Sequence, residues 1–119
     1  MAQRFKVLNA AVKASFVIDD HEPVIFEFDD FFCALEGIIG FRLDGYSSGL
    51  IKVEKNQKIQ EILSQKLYAI EDSFPDVKAS KFDKNNLINK KTTIRFFEEL
   101  IKFLDIAYRN NSKVFVEGE

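Results

Sequence analysis

Apolar residues recur along this chain with two periods, and the changes of period divide it into elements. Over 4–18, RFKVLNAAVKASFVI, the residues Val12, Ala14, Phe16 and Ile18 alternate with Lys13 and Ser15, the spacing of a half-buried strand. Phe5 and Val7 run in the opposite phase, so a bulge or break is expected near Asn9. A helix through Phe5, Leu8, Val12 and Phe16 is the competing pattern. The run Asp19-Asp20-His21-Glu22 reads as a turn into a second strand over 24–28, with Pro23 at a permitted strand start. A short helix over 31–39 follows, capped by Asp29 or Asp30, with Phe31, Phe32, Leu35, Ile38 and Ile39 in one stripe. Its other face holds Cys33, Gly37 and Gly40, which marks either the helix end or a close approach by another element.

The residues 41–44 and 50–54 flank Gly45-Tyr46-Ser47-Ser48-Gly49 as a second hairpin. A long helix is predicted over 56–73, its stripe formed by Ile59, Leu63, Leu67 and Ile70, and Pro75 stops it. The stretch 75–91 is a polar, basic linker with a turn expected at 83–86; its length admits a hidden short element. A second long helix covers 93–110, TIRFFEELIKFLDIAYRN, capped by Thr92 or Thr93, and a last strand covers 113–117. The order is β-β-α-β-β-α-α-β within one domain spanning 1–119. That is an α+β fold: a small antiparallel or mixed sheet of about five strands in two hairpins, packed by two long helices and one short one. In order alone, the first five elements resemble a β-grasp domain.

The 93–110 helix is apolar on more than one side. Ile94, Phe97, Ile101, Leu104 and Tyr108 form an ordinary core stripe, and Phe96, Phe103 and Ile106 continue the apolar surface behind it. This second face is expected either inside the domain or at an interface, homodimerisation included. Thirteen phenylalanines and no tryptophan strengthen the point, because a phenylalanine ring has no polar tip to leave in water.

Charge adds a second asymmetry. The net charge is only −2, but no Lys or Arg occurs from 14 to 41, where Asp19, Asp20, Glu22, Glu27, Asp29, Asp30 and Glu36 fall. Six basic residues, Lys78, Lys81, Lys84, Lys90, Lys91 and Arg95, stand against Asp83 alone in 78–95. The acidic block points to a basic protein partner, because such a patch steers and orients docking. The basic segment, with Phe82 placed to stack on a base, supplies the alternative of a nucleic-acid-binding accessory protein.

Catalytic chemistry finds little purchase. His21 is the only histidine, which excludes triads that need one elsewhere and zinc sites with several. The Asp19–Glu22 run matches no metal-loop spacing, and the loop 45–49 lacks the Lys-Ser/Thr ending of a phosphate cradle. Cys33 has no base near it in sequence. No catalytic residue, metal or cofactor is therefore assigned. A lone cysteine, no signal-peptide pattern and no long apolar run are read as a cytoplasmic protein without a membrane span. The expected function is a non-enzymatic protein-binding module, of inhibitor, immunity or assembly type. Its acidic surface would comprise Asp19, Asp20, Glu22, Glu27, Asp29 and Asp30, and its apolar interface Phe96, Phe103 and Ile106.

Overall fold

The computed structural model describes residues 2–80 and 85–118. Its elements are β1 (Ala2–Val7), β2 (Ser15–Asp19), α1 (Pro23–Glu27), α2 (Asp29–Ile39), β3 (Gly49–Ile51), α3 (Val53–Ser73), β4 (Val77–Ala79), β5 (Leu87–Asn89), α4 (Lys90–Arg109) and β6 (Val114–Glu117). The strands form a four-stranded antiparallel sheet in the order β2-β1-β6-β3 and a separate β4-β5 ladder. The fold is α+β, but its elements depart from the expected order in four places.

The phase change near Asn9 is a chain reversal, so 4–18 is itself the first hairpin, with Phe5 opposite Phe16. Asn9 builds the turn: its Oδ1 accepts the Ala11 N–H at 3.0 Å, and its Nδ2 donates to Ser112 Oγ at 3.1 Å. The strand expected over 24–28 is the helix α1. Pro23 at its start presets a helical φ, and the chain buries Val24 and Ile25 together while leaving Phe26 exposed, a helical spacing. The second hairpin does not form either. Among the described residues, 41–44 join no ladder, and β3 is three residues long because α3 starts at Val53, ahead of the expected 56. The resemblance to a β-grasp order ends here, since only one strand follows α2 before α3. The 75–91 linker contains the β4-β5 ladder, closed by Ser80 N–H to Asn86 O and Lys90 N–H to Asp76 O, both 2.9 Å. The turn expected at 83–86 lies partly outside the described residues.

Helix α4 fills the middle of the molecule. Its cap is Asn89, whose Oδ1 accepts the Lys91 N–H at 2.7 Å; Thr92 and Thr93 send their hydroxyls back to the Asn89 carbonyl instead. Helix α3 lies antiparallel to it: Tyr108 reaches Gln57 at one end, and Lys90 Nζ reaches the Glu71 carbonyl at the other. Buried Asn56 donates to the Leu104 carbonyl at 3.0 Å and clips the two helices together. On the sheet side, Phe103 meets Phe5 and Phe16 at ring-centroid distances of 6.1 and 6.4 Å, and Phe96 meets Phe16 edge-on at 5.6 Å. Phe97 stacks on Phe32 of α2 at 6.0 Å. The part of the surplus apolar face that Phe96 and Phe103 form is thus met from within. Phe103 is 3% exposed, and the expectation of an interface there is corrected: it is a core residue. Phe96 and Ile106 are half-buried, Phe96 packed against the same core. Among the described residues, no helix is long and apolar enough to cross a membrane.

Candidate functional site

The acidic block of the sequence does not become one acidic surface. Glu27 is 2% exposed, and the Lys78 ammonium of β4 lies 2.7 Å from its carboxylate. Its place on the expected binding surface is corrected: it is an interior residue joining α1 to the β4-β5 ladder. Asp29, in the first turn of α2, pairs with Arg42 at 2.5 Å. Burial pulls the Arg42 guanidinium down, but Cys33, Asp29 and Glu36 around it outweigh that and leave it raised. A base from just beyond the base-free stretch thus folds back to neutralise part of it. Asp30 is exposed.

What remains is a corner where β2 ends. Asp19 closes the strand, and its carbonyl accepts the Glu22 N–H at 3.2 Å. His21 turns the chain with a φ of +62°, and its ring stacks on Phe26 of α1 at 6.1 Å. The loop 42–47 comes to meet this turn. Its Tyr46 hydroxyl donates to Asp20 Oδ1. Asp44 shapes the loop from inside, accepting the N–H groups of Tyr46 and Ser47 at 2.8 and 2.9 Å. Gly45 has a φ of +91°, and a Cβ there would stand 3.4 Å from the Asp19 carbonyl.

Gln3 holds the loop in place. It is fully buried on β1, in phase with Phe5 and Val7. Its Nε2 donates to the carbonyls of Arg42 and Ser47, both at 2.8 Å, and its Oε1 accepts the Gly45 N–H at 3.2 Å. Three backbone groups of this loop, the carbonyls of Arg42 and Ser47 and the N–H of Gly45, are thus satisfied by one side chain.

The corner therefore presents Asp19, Asp20 and Glu22 beside two exposed aromatic rings, Phe26 at 37% and Tyr46 at 42%. Burial raises the Glu22 carboxyl above its ordinary value, opposed by the Val24 N–H and reinforced by Asp19. The hydrogen bond to Asp20 raises the Tyr46 phenol. Sequence reasoning brought Asp19, Asp20 and Glu22 to this place but missed Phe26, Asp44, Tyr46 and Gln3. The Asp44-Gly45 pair was a legible turn signal; which turn the loop would meet was not.

The expected basic segment is partly engaged elsewhere. Lys78 serves Glu27, and Lys90 donates to the Glu71 carbonyl at 2.9 Å. Lys91 and Arg95 are exposed, while Lys81, Phe82, Asp83 and Lys84 lie outside the described residues. Cys33 is exposed on α2. The Ser47 hydroxyl donates to Asp44 at 3.1 Å, and Ser48 accepts the Gly118 N–H at 2.9 Å. Among the described residues, no group of three or more His, Cys, Asp or Glu side chains is placed to hold a metal ion. An open groove of about 680 Å³ follows the β1–β2 connection, where Lys6, Asn9, Lys13 and Ser15 are its polar lining. Comparison with known proteins returns no match: no family model fits the chain, and no curated protein or solved structure is detectably similar to it.

Proposed function

We propose that this chain is a small, non-enzymatic, cytoplasmic protein-binding module of inhibitor, immunity or assembly type. Its docking site is the corner made by Asp19, Asp20, Glu22, Phe26 and Tyr46, and its partner offers a basic surface. The observation that carries the reading is Tyr46, an exposed ring tied to a carboxylate of the neighbouring turn. Aromatic rings held rigidly among charges are the commonest anchors of protein interfaces, because little side-chain freedom is lost when they dock. The carboxylates around them favour lysine and arginine over other partners and speed encounter. The nucleic-acid alternative draws less support, since Lys78 and Lys90 of its basic segment already have partners within the chain.

The test is a comparison of proteins captured from a lysate by the immobilised chain and by two variants. One variant replaces Asp19, Asp20 and Glu22 with Ser; the other is Tyr46→Ala. The expected result is a protein retained by the native chain at low salt, released at high salt, and lost from both variants. Retention indifferent to salt and to both variants would refute the reading; retention that depends on added nucleic acid would favour the alternative.

A further inference from the structure

Strand β2 lies at one edge of the four-stranded sheet and pairs with β1 along Ser15–Asp19. Among the described residues, that ladder is the one backbone pairing of 15–18. An edge strand leaves every second N–H and C=O facing outward, and proteins usually blunt such an edge with Lys, Pro, a bulge or shortness. Here the sequence is Ser-Phe-Val-Ile-Asp, regular throughout. The opposite edge, β3, is three residues long and runs at once into α3. Among the described residues, one edge is protected and the other is not.

We propose that two copies of this chain join β2 to β2 in antiparallel fashion about a two-fold axis at Val17, making one continuous sheet. The register follows from parity. Residues directly opposite each other in an antiparallel pair point to the same face, and a two-fold axis normal to the sheet keeps both buried faces on one side. Only a residue-centred axis meets both conditions, and only Val17 pairs all five residues of the strand. Phe16 then stands opposite Ile18 of the second copy, on the buried face. Val17, an apolar residue 42% exposed between Ser15 and Asp19, meets its own equivalent. Ser15 stands opposite Asp19 of the second copy. Lys13, just before the strand, extends toward the second copy's acidic turn at 19–22. No like charges face each other, so the edge is complementary to itself. This inference rests on the strand edge and not on the Tyr46 corner.

Ser15 provides the test because its two neighbours pull in opposite directions. Within the chain it lies opposite Lys6, and across the proposed interface opposite Asp19. Ser15→Lys should tighten the dimer several-fold and Ser15→Asp should weaken it about tenfold, since each change acts twice in a symmetric pair. Thermal stability of the monomer should rank the variants the other way. Sedimentation equilibrium across a concentration series reads the first ranking, and melting of dilute protein reads the second. The amides of 15–18 that face away from β1 should exchange more slowly as the native chain is concentrated. A chain that stays monomeric with those amides exchanging freely overturns the proposal. So does a dimer indifferent to both variants, which would place the contact elsewhere.

Discussion

The Lys78 ammonium stands 2.7 Å from the Glu27 carboxylate, and that carboxylate is almost wholly removed from water. The same ammonium lies 5.8 Å from the centre of the Phe74 ring, so the pair sits where the β4-β5 ladder, α1 and the end of α3 meet. Removing one partner of a buried pair leaves the other charge with weaker compensation, which costs more than the pair itself contributes. Lys78→Met should destabilise the protein by about 1–3 kcal/mol, the partial exposure of Lys78 holding the figure below that for a fully buried pair. Glu27→Gln added to Lys78→Met should recover part of the loss. Urea denaturation of the native chain, both single variants and the double variant measures the coupling; strictly additive losses would show that the two side chains act independently.

Gln3→Ala should cost about 3 kcal/mol, because it strands two carbonyls and one N–H that the side chain now satisfies in the interior. The damage should be local as well as global. With Gln3 gone, the loop 42–47 loses its tie to β1, so limited proteolysis should cut there first. Gln3→Glu should fail to rescue, since a carboxylate cannot donate to the Arg42 and Ser47 carbonyls. Equal protease resistance of this loop in the native and Gln3→Ala chains would rule out the anchoring role.

How far such features were legible depends on how local their causes are. The period of α4 was plain because twenty consecutive residues repeat it, and its surplus apolar face correctly announced more than one neighbour. Which neighbour covers Phe103 is decided by the Phe5–Phe16 hairpin, far away in the chain, and no periodicity records that. The five residues of α1 are too few for either period to speak clearly, and packing of Val24 and Ile25 overrode their strand preference. Glu27 looked like its acidic neighbours because charge counts do not reveal pairing. Gln3 left a trace, a polar residue in phase with Phe5 and Val7, but its three partners lie about forty residues on.

Two glycines of the α2 region separate by geometry. Gly37 is inside the helix with nothing within 4 Å of where a Cβ would stand, so no close approach requires it. Gly37→Ala should stabilise the protein by about 0.5–1 kcal/mol through reduced freedom of the unfolded chain. Gly40 ends the helix with a φ of +98° and donates its N–H to the Glu36 carbonyl at 2.8 Å. Gly40→Ala should cost about 1–2 kcal/mol, because an L side chain strains that backbone. Thermal melting of the two variants should move in opposite directions. A loss of stability in Gly37→Ala would point to a contact on that face.

Glu22 should make stability depend on pH in a direction opposite to that of most carboxylates. Its folded-state pKa is raised above 4.5, with burial as the main cause, so the folded chain holds the proton more tightly than the unfolded chain does. The stabilisation from that proton is complete below 4.5 and is lost as pH rises through the raised folded value. Above 4.5, ionising Glu22 therefore costs the folded state more than the unfolded state, which leaves that charge in water. Glu22→Gln should raise the denaturation midpoint at neutral pH, and its advantage should vanish below 4.5, where the native side chain is already neutral. Asp19 adds to the upward shift, so Asp19→Asn should lower the folded value and move the window of lost stability toward lower pH. Denaturation midpoints across this range for the native chain and both variants decide the matter. An advantage for Glu22→Gln that persists unchanged in acid would trace to packing rather than to charge.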